Sequence, residues 1–322
     1  MRAFALILLL VGPAFGWDDY RVIMWVGDSV WKQPEKFPVF LERLREMGVN
    51  TGMVFGDADP KPWVAAKFPY YVENIVNRGL CLKWNSKVRD WDAFVENWKK
   101  MRSEAAFVRE YCLDDPEWRE WAKNQMRAVV RKNAPHHPLA YNIRDELSIT
   151  MSANPFDYCF CPKTQAAFRT WLKTQYRDLA DLNARWETGF KTWDEVRPFS
   201  TDEIKRRKNS TPWCDFRTYM DVSLARVLDE LRQVAHEIDP RTPVGIEGTQ
   251  MPAAFGGYDL YRLSQVLDWV EPYDIAGARA IFGSFMPGKP IVSTISDPAT
   301  ARRDLWHRLD RKSTRLNSSH RT

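Results

Sequence analysis

An Asp-Glu pair, Asp145 and Glu146, closes the apolar run of YNIRDELS. At the end of a strand, a Glu whose pKa is raised by burial can deliver and later remove a proton, while the adjoining Asp accepts hydrogen bonds from substrate hydroxyls. The dipeptide alone is equally compatible with a strand ending in solvated charge. A Cys-x-Cys, Cys159 and Cys161, follows downstream, with Cys112 upstream of the pair. Five cysteines are an odd number for an exported chain. Cys81 alternates with Leu80 and Leu82 and reads as a small buried hydrophobe. Cys214 lies near a helix start without an evident partner.

The elements that must position these groups alternate between strand length and helix period. YRVIMWV (20–26) and TGMVFGD (51–57) read as the first two strands, separated by an amphipathic helix that puts Phe40, Leu41, Leu44 and Met47 on one face. YYVENIVNRG (70–79) reads as a helix and LCLKWN (80–85) as the third strand. DDPEWREWAKNQMRAVVRKN is a long helix with acids and a proline in its first turn, leading to LAYNIRDE as strand four. An insertion carrying Cys159 and Cys161 follows, with helices over KTQAAFRTWLKTQY and LADLNARW and a long one over about 212–238. TPVGIEGT, WVEPYDI and KPIVSTI supply strands five, six and seven, YDLYRLSQVLD a helix between the first two, and TARRDLWHRL a last helix. Alternation of this kind builds a parallel sheet. The expected fold is an α/β, (β/α)8 TIM barrel, incomplete at its C-terminus with about seven strands present.

The ends read differently from the middle. Residues 1–16, with Arg2, an apolar run and a small-residue ending, match a signal peptide, and the run is too short to span a bilayer. Residues 310–322 lack periodicity and read as a non-native tail, the translation of a sequencing adapter. The fold expectation therefore rests on 17–309 as one domain, in the secreted or periplasmic space, with no membrane span. Setting the ends aside takes Lys+Arg from 47 to 42 and Asp+Glu from 42 to 41, leaving a net charge of +1, which gives no argument for nucleic-acid binding. With 15 Trp, 11 Tyr and 17 Phe the chain is rich in rings that pack cores and stack on flat apolar faces such as those of sugars.

The ordered succession REYCLDDPEWREW, YNIRDELS and DYCFCPKTQAAFRTWLKTQYRDLADLNARWETGFKTWDEV resembles glycoside hydrolase family 42, the β-galactosidase-like barrels. The resemblance covers about 109–274 and is strongest over 157–196. It implies hydrolysis of β-galactosides or related glycans, an oligo- or polysaccharide partner, and Glu146 as the acid/base. The family has Asn where this chain has Asp145, and an ionised Asp accepts but cannot donate a hydrogen bond. The family's nucleophile is a Glu ending strand seven, yet KPIVSTISDP has only Asp297 there. Glu247 in GIEGTQMP is the first choice to replace it, with Glu271 and Asp274 of WVEPYD and Asp297 as further candidates. Asp145, Glu271, Tyr273, Trp25 and Trp84 are the expected substrate contacts, although the three rings read individually as core. The alternative is a carbohydrate-binding pseudoenzyme that has lost its strand-seven nucleophile.

No cofactor is required by this chemistry. The resemblance also implies a structural zinc held by one upstream Cys and a C-x-C-x-x-C. Here Cys112, Cys159 and Cys161 are present and Thr164 holds the last place, so zinc, a disulfide and free thiols all remain open.

Overall fold

The computed structural model describes residues 17, 20–25, 34–82, 91–101, 104–151, 154–273 and 275–294. The segments 1–16 and 310–322 lie outside them, as do Trp84, Asp274 and Asp297.

Five parallel strands run side by side in chain order: β1 (Gly52–Phe55), β2 (Tyr70–Glu73), β3 (Tyr141–Asp145), β4 (Val244–Glu247) and β5 (Trp269–Glu271). Single parallel bridges extend the sheet at both sides, from Ile23 to Thr51 and from Ile291 to Val270. Seven strand positions are therefore occupied in barrel order. Two sequence expectations are corrected. The third strand is Tyr70–Glu73, where a helix was expected, and Leu80, Cys81 and Leu82 form no strand. Tyr70, Tyr71 and Val72 favour extended backbone, and the alternation of facing sides outweighs the weaker helical spacing of this short run.

Alternation divides the strand side chains between two cores. Val54, Val72, Tyr141, Ile143, Val244, Ile246 and Val270 face outward into the main core beneath the helices. Met53, Tyr71, Ala140 and Trp269 face the barrel interior, where Trp17, Ile23 and Phe55 pack on them. Gly245 makes room for this inner cluster, because a Cβ there would stand 2.6 Å from the Trp269 ring.

Helices connect successive strands, as parallel pairing requires. The helix before β3, α1 (Pro116–Asn133), starts at Asp115, whose side chain accepts from the Glu117 amide at 3.0 Å, and Pro116 occupies a first-turn position that needs no donor. Its buried stripe of Trp118, Ala122, Met126 and Val130 meets the long helix α2 (Thr211–His236) that leads to β4. The insertion between β3 and α2 carries α3 (Pro162–Gln175) and α4 (Leu179–Trp186), packed through Phe168, Trp186 and Phe216. Trp186 donates to Asp215 at 2.7 Å. No described helix is long and apolar enough to cross a membrane.

Candidate active site

Four adjacent strands end in acids. Glu73 closes β2, Asp145 closes β3, Glu247 closes β4 and Glu271 closes β5, with Asp145 in register with Glu247 and Glu247 in register with Glu271. Glu146 follows one residue beyond β3. These are the carboxyl ends of parallel strands, the rim on which barrel enzymes build their sites.

The backbone bends sharply along this rim. Asn74 (φ 54°), Glu146 (φ 51°), Gly248 (φ 75°) and Thr249 (φ 41°) all occupy the left-handed region. Asparagine and glycine adopt it readily, whereas Glu and Thr are held there against a cost of about 1–2 kcal/mol each. Hydrogen bonds between neighbouring strand ends fix the turns. The Glu146 amide donates to the Glu247 carbonyl at 3.1 Å, and the Asp145 amide to Asn74 Oδ1 at 3.0 Å. Gly248 is required where it stands, since a Cβ would lie 2.5 Å from Asp145 Oδ1.

These residues floor a cleft of about 890 Å³. Asp145, Glu146, Glu247 and Glu271 line it, with Trp25, Phe55 and Tyr273 around them. Four of the five expected substrate contacts, and the expected nucleophile Glu247, thus meet Glu146 in one place, and Trp84 lies outside the described residues. Trp25, an expected substrate contact whose ring individually read as core, is 58% exposed, edge-on to Phe55 at 6.3 Å between ring centres. Tyr273, an expected contact with the same individual core reading, is 36% exposed and donates its hydroxyl to Glu146 Oε1 at 3.2 Å. Glu271 is engaged as a brace: its two oxygens accept the amides of Gly248 at 3.1 Å and Thr294 at 2.7 Å, linking β4, β5 and the segment beyond Ile291.

Burial and mutual repulsion raise the four acids that close the strands. Burial, then the Glu146 charge, moves Asp145 up to about 6. Burial moves Glu73 up to about 7, and lifts Glu247 well above the carboxylate range with help from Glu73 and Glu271. Glu271 is raised chiefly by burial. Arg144 lines the same cleft.

Glu73, Asn74, Asn142 and Arg144 escaped sequence reasoning. The first two were assigned to a helix. Their signal was the two-residue alternation of Tyr71 and Glu73 against Tyr70 and Val72, which predicts inward-facing Tyr71 and Glu73 once the segment is read as a strand.

The cysteines form a separate cluster. The sulfurs of buried Cys112, Cys159 and Cys161 lie within 4.8 Å of one another, and Cys112 and Cys161 approach to 3.2 Å without a disulfide. Thr164 Oγ1 stands 3.1 Å from Cys112 and 3.4 Å from Cys161. Backbone amides of Arg109, Asp114 and Thr164 each point at one of the sulfurs. Hydrogen bonding to Cys112 first, then to Cys159, holds the Cys161 thiol well below the usual thiol range, while Cys112 is raised. Three converging sulfurs with amide donors behind them suit a thiophilic divalent ion such as zinc, and Thr164 offers a hard oxygen on the fourth side. Cys81 is buried, as expected, and Cys214 is exposed.

Parallel strands with an acid-floored, ring-walled cleft at their carboxyl ends define a (β/α)-barrel of the glycosidase type. The chain belongs to glycoside hydrolase family 42, described as beta-galactosidase, whose family model matches residues 91–279, more than half of its length. A beta-galactosidase of Geobacillus kaustophilus is 26% identical over 262 residues, 80% of this chain and 34% of that protein. One from Alicyclobacillus acidocaldarius is 28% identical over 170 residues, 50% of this chain and 22% of that protein. The chain thus spans about a third or less of the curated relatives it matches here. Among solved structures, a cold-adapted beta-galactosidase from a Rahnella species aligns with a TM-score of 0.65 at 15% identity, covering 90% of this chain and 49% of that one. The catalytic domain of a beta-amylase from Paenibacillus polymyxa aligns at 0.61 with 13% identity, covering 92% and 91%. At such identities the likeness is one of fold.

Proposed function

We propose that this chain carries the barrel of an exported glycoside hydrolase acting on β-galactosides or related glycans with retention, Glu146 serving as acid/base and Glu247 as nucleophile. The observation that carries the reading is the meeting of Glu146, Glu247 and Tyr273 in one cleft, in a chain belonging to family 42. The export pattern of residues 1–16 supports the location.

In this reading Glu146 gives its proton to the glycosidic oxygen while Glu247 attacks the anomeric carbon. The bond to the leaving oxygen breaks as the ester to Glu247 forms. Glu146, now ionised, takes a proton from water, which attacks the same carbon and returns Glu247 as carboxylate. Tyr273 fixes the orientation of Glu146 through its hydroxyl. Asp145 accepts hydrogen bonds from a sugar hydroxyl, and Trp25 and Phe55 offer apolar faces to the ring. The three cysteines, with Thr164, would hold a structural zinc. It would pin the start of α3 to the segment before α1, remote in role from the reacting atoms.

The test is turnover of an aryl β-galactoside followed by proton NMR of the first sugar released. The β anomer appearing first is expected. Sugar binding without turnover would overturn the reading in favour of a binding protein on the same barrel, and the α anomer first would make the chemistry inverting.

A further inference from the structure

We propose that Glu73 and Glu247 hold one proton between them, and that Glu73 is the positioning residue that takes it whenever Glu247 stands ionised toward the cleft. The shared proton stands on the placement of the two carboxyls and their hydrogen-bond partners; its consequence for the reaction rests on the reading of Glu247 as nucleophile.

Glu73 and Glu247 close the strands on either side of β3, and Glu73 is 0% exposed. From β3 between them, Asn142 Nδ2 donates to Glu73 Oε2 at 2.8 Å. The other oxygen, Oε1, is buried without a well-aligned donor. The Tyr71 phenol faces both carboxyls but carries a single hydrogen, and the two carboxyls also face each other. With both carboxyls ionised, the buried Glu73 Oε1 would be left without a hydrogen, at about 1–3 kcal/mol for an acceptor left unmet. A carboxyl proton supplies the missing donor.

The charges around the pair act in the same direction. Asp145 on β3 raises both Glu73 and Glu247, and Glu271 on β5 raises Glu247. Glu146 and the Tyr273 hydroxyl line the same cleft, with Arg144 as a cation at its edge. Like charges this close cannot both ionise cheaply, so the two acids titrate as a pair. The elevated titration of Glu73, about 7, agrees with that arrangement.

The pair resolves a conflict in the proposed reaction. A nucleophile must be ionised, yet Glu247 sits where ionisation is opposed. If its proton passes to Glu73 Oε1, Glu247 becomes a carboxylate with no net charge added to the cleft floor. Glu73 then donates back to it as a neutral acid, aiming the free oxygen at the sugar.

The experiment is a carboxyl-carbon NMR titration of the full chain labelled at the glutamate Cδ, in wild type, Glu73→Gln and Glu247→Gln. The wild type is expected to show a step near pH 7 that both variants abolish, leaving one lower step in each. The amide introduced by Glu73→Gln mimics the neutral acid, so the lower step of Glu247 should stay near its wild-type position. A wild type whose glutamates all titrate below about pH 5.5 overturns the proposal. So does a near-neutral step that survives Glu73→Gln. Should Glu73→Gln fail to fold, the wild-type curve and Glu247→Gln still decide. Titration as a pair in a chain without turnover keeps the shared proton and removes the glycosidase reading, while turnover with independent titrations does the reverse.

Discussion

Glu146→Gln is expected to lower kcat/KM on an unactivated β-galactoside by about 10²–10⁴-fold, the usual worth of a positioned general acid and base. Glutamine keeps the size of the side chain and an oxygen that can still accept from Tyr273, so the cleft should keep its shape. The loss should depend on the leaving group. An aryl group that departs without a proton bypasses the first role of Glu146, leaving hydrolysis of the covalent ester as the slow step. Azide needs no base, so it should restore turnover of the aryl substrate and yield the β-galactosyl azide, the stereochemistry of two successive inversions. Removing the nucleophile by Glu247→Gly should give the opposite product, because azide then attacks directly and yields the α-azide. A Glu146→Gln protein within tenfold of wild type would assign the acid/base role to another residue. A β-azide from Glu247→Gly would do the same for the nucleophile.

The second large effect concerns stability. With zinc at about a thousand times its dissociation constant, binding to the folded chain alone contributes about 4 kcal/mol. At roughly 2–4 °C per kcal/mol for a domain approaching this size, chelation should lower Tm by roughly 8–16 °C under reducing conditions. Thr164→Cys should place a fourth sulfur beside Cys112 and Cys161, whose sulfurs now lie 3.1 and 3.4 Å from the threonine hydroxyl. Metal analysis should then find zinc retained at chelator concentrations that strip the parent. Cys112→Ser should lose the metal in both backgrounds. Stoichiometric zinc absent from wild type, with no Tm change on chelation, would leave the three thiols as packing and hydrogen-bonding groups.

Sequence carried much of this fold because barrel strands announce themselves by apolar runs with acids at their ends. YNIRDE, VGIE and WVE are each short, apolar and terminated by a carboxylate, and the helices between them are capped or amphipathic. The third strand failed the same reading because Tyr70–Glu73 runs directly into Asn74, Ile75 and Val76, whose spacing extends a helical pattern. Misplacing it also hid Glu73, since an acid within a helix reads as solvated whereas one facing the barrel interior is buried. Glu146 and Glu247 were legible as strand-end carboxylates. Their surroundings were not, because neither the Asn142 bond to the neighbouring Glu73 nor the Tyr273 contact with Glu146 follows from local spacing. They arise from strand register and from a loop 127 residues away from Glu146. The exposed position of Trp25 was hidden for the same reason, as composition makes a tryptophan core until its neighbours are known.

The left-handed turn at Glu146 has an evolutionary consequence. Its φ of 51° is a conformation that glycine would adopt without strain, so the residue best suited to the backbone at this point is one that cannot handle a proton. Glu146 therefore marks a trade-off between activity and stability, and drift toward a more robust fold runs through the loss of the carboxyl itself. Relatives of this barrel released from selection for turnover should lose that carboxyl early while keeping the cleft, its rings and the acids that Glu146 now stands beside.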